Sequence, residues 1–247
     1  GSEKNSILYA FSLKTNVSQM LSTRTSPTTL NCLNGLRVLA MFWILAGHRM
    51  LQMLSFPKQR GRDVLEVSED YSWAPVESTQ LAVEIFFLIS GILVTYGYLQ
   101  HTLKGNKFNI LTFYLHRYLR LTPSLAALVL LYGTIAIRFT DGPLWRRVFD
   151  RQYFNCRHNW WATLTYINNY YDPYRMCVSQ SWFVSSIFQL YLFSPILLIP
   201  LHKRPKLGLL LTAMFVLIST MGGLWNAIAK DLKGGMAVSL DRRSEDA

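Results

Sequence analysis

Five long apolar windows set the limits on what this chain can become. They cover about 36–54 (LRVLAMFWILAGHRMLQML), 81–99 (LAVEIFFLISGILVTYGYL), 124–139 (SLAALVLLYGTIAIRF), 182–201 (WFVSSIFQLYLFSPILLIPL) and 207–228 (LGLLLTAMFVLISTMGGLWNAI). Crossing a bilayer takes about 20 mostly apolar residues. The third window is short, but Leu119 and Leu121 extend it. One such run could be a core helix of a large soluble protein. Five in 247 residues exceed that reading, because only 16% of the chain is charged, against roughly a quarter in soluble domains. The expected fold class is all-α: a polytopic transmembrane helix bundle of about five spans with a cytosolic N-terminus.

Charge gives the orientation. The chain is 51% apolar and carries 25 Lys+Arg against 14 Asp+Glu, a net charge of +11. Disorder needs low hydrophobicity and is excluded. Nucleic-acid modules carry their basic residues on a polar surface, whereas here they sit between apolar runs, so no nucleic-acid partner is expected. Lys and Arg in short loops stay cytosolic. The 100–123 segment holds Lys104, Lys107, Arg117 and Arg120 without an acid, and the 202–206 turn holds His202, Lys203, Arg204 and Lys206. The 55–80 loop instead contains Asp63, Glu66, Glu69, Asp70 and Glu77. The expected organisation is a polar cytosolic segment over 1–33, a transmembrane domain over 34–228 with lumenal loops at 55–80 and 140–181, and an unstructured tail over 229–247. The 140–181 loop is basic, but it is long enough for its charge to weigh less. A sequon at Asn16-Val17-Ser18 argues the other way and would place the N-terminus in the lumen if glycosylated.

Cys156 and Cys177 share the proposed lumenal loop, where oxidation is permitted, while Cys32 lies on the cytosolic side. A bridge would close a loop of about twenty residues and contribute about 3 kcal/mol. The alternative is two unrelated thiols.

Ionisable residues inside spans are costly and tend to face a cavity or a partner. Three places qualify. Arg37 and His48 are eleven positions apart, which brings them within about 20° of one helical face and roughly 16 Å along it. Histidine takes and returns a proton near neutral pH; the alternative is an interfacial Arg that snorkels and an interfacial His. Glu84, one turn into the second span, could orient and charge-stabilise a histidine, or it could simply reach water. Arg117 and Arg120 are neighbours on a helical face. Their planar forks suit phosphate, although from the residues alone ordinary cytosolic positive charge or lipid-headgroup contact is the simpler reading. There is no phosphate loop, nucleophile elbow, dinucleotide fingerprint or Cys/His metal spacing, and neither a metal nor a resident cofactor is expected.

Together these features resemble the acyltransferase 3 family of integral membrane proteins, in the branch called nose resistant to fluoxetine in animals. The likeness begins near Phe11-Ser12-Leu13-Lys14-Thr15-Asn16 and runs to about Leu198. Cys32-Leu33-Asn34-Gly35-Leu36-Arg37, through Trp43 to Gly47-His48, carries the family's Arg-(ten residues)-His spacing. Glu84-Ile85-Phe86-Phe87 through Ser90-Gly91 looks like its Asp-x-Phe-Phe-x-x-Ser-Gly element. Arg117-x-x-Arg120 before Leu121-Thr122-Pro123 is similar to its Arg-x-x-Arg element, and Cys177 through Trp182 to Gln189 and Pro195 to its Trp-Tyr-Leu-x-x-Asp-x-Gln stretch.

The resemblance implies acyl transfer from a cytosolic acyl-CoA-type co-substrate to a hydroxyl of a lipid, sterol or glycan, in the endoplasmic reticulum or plasma membrane. In that scheme His48 is the general base, Glu84 orients it, Arg37 lines the donor path, and Arg117 and Arg120 hold the donor phosphates. Trp182 and Gln189 fall among the substrate-binding positions. Membrane lipids are the expected partners. Glu84 replaces the family's Asp, and Ile187 stands where the later stretch has an Asp. That loss favours a second reading, a non-catalytic carrier for lipid or drug uptake. A third, a structural or channel-like bundle, has only the amphipathic spans behind it. Such proteins have about ten spans, and this chain starts Gly-Ser without Met, so it is expected to be a piece of one.

Overall fold

A computed structural model describes residues 12–23, 30–54, 71–139 and 143–231, and among these the chain is helical without a strand. The expected tail beyond 231, the acidic stretch 55–70 and the first eleven residues lie outside the described residues. Four helical stretches are long and apolar enough to cross a membrane: Ala74–Leu103, Ile110–Arg138, Ser181–Lys203 and Pro205–Ala229. The first apolar window does form a helix, α2 (Asn31–Leu54, 24 residues), preceded by α1 (Leu13–Met20). It falls outside the four because polar residues crowd both of its ends: Asn31, Asn34 and Arg37 at one, His48, Arg49 and Gln52 at the other. Among the described residues four helices are therefore apolar enough to span, and the remaining window of the expected all-α bundle forms a helix with more polar ends.

The chain packs as two units, residues 1–86 and 87–247. In the first, α2 meets a short helix, α3 (Ala74–Glu77), and the start of α4 (Thr79–Leu103). The Trp43 indole Nε1 donates to the Pro75 carbonyl at 2.6 Å. One helical turn on, Gly47 lies directly against the Thr79 side chain, so close that even a methyl group would collide. Thr79 is itself fixed by donating to the Val76 carbonyl at 2.6 Å. Ala40, Val76, Ala82 and Val83 are buried.

In the second unit, the expected cytosolic loop over 100–123 shrinks to 104–109, and most of it is helix. The Asn109 side chain accepts from the Leu111 and Thr112 amides at 3.0 and 3.2 Å. That cap starts α5 (Ile110–Leu130) well before the apolar window. Arg117 and Arg120 are therefore helical residues, and Arg117 shares a face with Phe113 and Leu121. Pro123 sits inside α5, which membrane helices tolerate because neighbours supply the missing contacts. The helix continues through a π turn (Leu131–Ile135) into a 3-10 turn (Ala136–Arg138).

The 140–181 segment also contains a helix, α6 (Pro143–Leu164), kinked at Asn159, followed by the short α7 (Asn168–Tyr171). A disulfide joins Cys156 on α6 to Cys177, both fully buried, beside Val129 and Val178. A second cluster unites Leu125 of α5, Tyr166 and Phe188 of α8 (Ser181–Lys203). The basic 202–206 turn is nearly all helix, because α8 runs to Lys203 and α9 starts at Pro205 (Pro205–Ala229). Only Arg204 is extended, with φ −141° and ψ 80°. Gly208 is buried against the Leu201 backbone, which this tight hairpin requires.

Candidate functional site

In the first unit, α2 is one unbroken helix, so Arg37 and His48 keep the shared face that their spacing implies. Arg37 is half-buried and its Nη1 approaches Asn34 Oδ1 at 3.5 Å. His48 is exposed, with Nδ1 2.9 Å from the Ile44 carbonyl oxygen. A carbonyl only accepts, so in the neutral imidazole Nδ1 carries the proton and Nε2 keeps its lone pair. The orienting partner of His48 is therefore a main-chain carbonyl one turn back in its own helix. Glu84 is exposed and makes no hydrogen bond or ion pair among the described residues. No hydrogen bond or ion pair joins it to His48 among the described residues.

In the second unit, Arg117 is half-buried and leans on an aromatic wall. Its guanidinium carbon lies 5.0 Å from the centroid of the Tyr191 ring. Tyr191 is held on α8 by stacking on Phe113 at 4.1 Å between centroids and by donating to the Phe113 carbonyl at 3.2 Å. Arg117 Nε is shut off from solvent without a hydrogen-bond partner, and no carboxylate pairs with Arg117 among the described residues. Arg120, three residues on, is exposed. The pair thus divides into one withdrawn cation and one solvent-facing cation.

Beside Arg117 stands a polar cluster that the sequence did not announce. Tyr166 is 1% exposed yet has φ 60°, a conformation that bulky residues avoid. It is fixed from three sides. Its hydroxyl meets Thr122 Oγ1 at 3.0 Å, its ring stacks on Phe188 at 4.2 Å, and its carbonyl accepts from Gln189 Nε2 at 2.7 Å. Burial pushes the phenol pKa above its ordinary value, opposed by the Thr122 contact. Gln189 also pairs face to face with the Asn169 side chain, giving to Oδ1 at 2.9 Å and accepting from Nδ2 at 3.1 Å. Asn168, fully buried, donates to Ser181 and accepts from Ser185, each at 2.6 Å.

Gln189, expected among the substrate contacts, thus spends its amide on holding the Tyr166–Asn169 turn against α8. Trp182 is half-buried, its ring 6.1 Å from that of Phe183 and its carbonyl accepting from Ser186 at 2.9 Å. Tyr166, Asn168, Asn169 and Tyr191 were missed, and the only hint was the Asn-Asn doublet closing an apolar stretch.

Residues 30–234 match the family described as an acyltransferase domain. The chain is 28% identical over 241 residues to nose resistant to fluoxetine protein 6 of Caenorhabditis elegans, covering 87% of this chain and 28% of the relative. It is 25% identical over 223 residues to regulator of hypoxia-inducible factor 1 of the same organism, covering 87% of this chain and 42% of the relative. The chain therefore spans less than half the length of either. No solved structure matches it.

Proposed function

Because the chain belongs to the acyltransferase 3 family, across residues 30–234, we propose that it moves an acyl group from a cytosolic acyl-CoA-type donor to a hydroxyl of a lipid, sterol or glycan. It is a membrane protein with four apolar helices long enough to span a bilayer, and the endoplasmic reticulum or plasma membrane is the proposed location. The observation that carries the mechanism is the hydrogen bond from His48 Nδ1 to the Ile44 carbonyl at 2.9 Å, which leaves Nε2 as a base of fixed tautomer.

In the proposed reaction His48 Nε2 takes the proton of the acceptor hydroxyl as its oxygen attacks the thioester carbonyl carbon. The new C–O bond forms, the C–S bond breaks, and the imidazolium returns the proton to the departing thiolate. Glu84 supplies a negative charge that favours the imidazolium. Arg37, on the same face of α2, lines the path of the donor. The donor's phosphates meet the solvent-facing Arg120, supported by the field of Arg117 one turn behind it.

Incubating the purified full-length protein with radiolabelled acyl-CoA and membrane lipids tests this reading. Label stably esterified to lipid supports it. Saturable lipid binding without transferred label would overturn it.

A further inference from the structure

A groove of about 240 Å³ opens between α4, α8 and α9. Phe87 and Val94 of α4, Ile187 and Leu198 of α8 and Phe215 of α9 form its apolar walls, with only the hydroxyls of Ser90, Thr95 and Ser194 and the Tyr191 phenol adding polarity. The stretch from Ile187 to Leu198 runs about 16 Å along the helix, so the groove is longer than an interstice between packed side chains. Gly91 lies in its lining, where a methyl group would meet nothing within 4 Å. Ile187, which replaces an acid of the resembled family stretch, keeps the wall apolar.

One residue connects this groove to charge. Tyr191 lines it, and the Arg117 guanidinium lies 5.0 Å from the same ring. Arg117 sits within a candidate span, its Nε shut away without a partner, and no acid pairs with it among the described residues. A cation within a span is stable only with an anion or water beside it. A neutral lipid would fill the groove but leave Arg117 unanswered. A coenzyme's phosphates lie far from the acyl chain they accompany, whereas here chain site and charge share one side chain.

We propose that this groove binds a single-chain lipid whose negative charge sits at the head of its chain, with the chain along α4, α8 and α9 and the head at Arg117. The proposal goes beyond the acyl-transfer reading, with which it shares Arg117, and its test needs no donor.

The test uses the full-length protein in neutral detergent, a fluorescent long-chain fatty acid and that fatty acid's methyl ester. The acid should saturate a single site at least tenfold more tightly than the ester. Arg117→Gln should bring the acid down to the level of the ester, while Arg117→Lys keeps part of the preference. Gly91→Leu should weaken both probes at least tenfold, and Gly91→Ala should do so less, with melting temperatures confirming that each variant is folded. Equal binding of acid and ester by the unaltered protein would overturn the proposal, because that is the behaviour of lipid partitioning around any span. A preference that survives Arg117→Gln, or full affinity in a folded Gly91→Leu protein, would overturn it too. No donor is present, so the outcome stands whether or not acyl transfer is found.

Discussion

The Arg117 guanidinium rests 5.0 Å above the Tyr191 ring and meets no carboxylate among the described residues. A cation over an aromatic face gains about 0.5–2 kcal/mol, but withdrawing an ion from water costs several kcal/mol. The arrangement is therefore poor as a stabilising device and suited to an anionic visitor. Replacing Arg117 by Met, of similar length and apolar, should leave the melting temperature of the ligand-free protein unchanged or raise it slightly, while acyl transfer falls at least tenfold. A clear drop in melting temperature would show instead that Arg117 serves folding.

The amide pair of Gln189 and Asn169 fixes the left-handed Tyr166. Truncating Gln189 to Ala removes the donor to the Tyr166 carbonyl and strands Asn169, each a buried or half-buried polar group. The expected cost is about 1–3 kcal/mol, seen as a lower denaturation midpoint in detergent. Gln189→Glu should be at least as harmful at neutral pH, since a carboxylate would face the carbonyl oxygen that now receives a hydrogen bond. If Gln189→Ala leaves stability intact but weakens substrate affinity, the side chain contacts substrate after all.

The Cys156–Cys177 bridge closes a separation of 21 residues and should contribute about 3 kcal/mol. Thermal unfolding with and without a strong reductant measures it. The loss should centre on α6 and the turn before α8, because both sulfurs lie in the buried cluster with Val129 and Val178.

Gly47 and Gly208 mark close approaches, whereas Gly91 borders open space. Gly47→Ala and Gly208→Ala each drive a methyl into an occupied position, the Thr79 side chain and the Leu201 backbone respectively. Overpacking of this kind costs about 1–3 kcal/mol, and Gly208 should be the more sensitive because backbone yields less readily than a side chain. Gly91→Ala meets nothing within 4 Å and should be neutral for stability. Differential scanning fluorimetry of the three variants side by side gives the ranking.

The apolar windows announced the helices because burial in lipid needs long runs that a sequence cannot hide. Helix starts were harder. Arg117 and Arg120 read as neighbours on one helical face within a basic 100–123 loop, and the Asn109 cap carries α5 back to Ile110 so that both lie well inside the helix. The His48 spacing was legible, but its partner was not, since an imidazole can reach a carbonyl of its own helix and nothing in the sequence favours Ile44 over Glu84. The Tyr166 cluster was hidden for a different reason. Its members come from three separate segments, and only the fold brings Thr122, Asn169 and Gln189 to one tyrosine.

The central claim is that His48 is the base of an acyl transfer, and His48→Ala in the full-length protein tests it most directly. With expression and melting temperature matched to the unaltered protein, transfer of labelled acyl groups to membrane lipid should fall by at least a hundredfold. Turnover that persists unchanged in His48→Ala would contradict the mechanism.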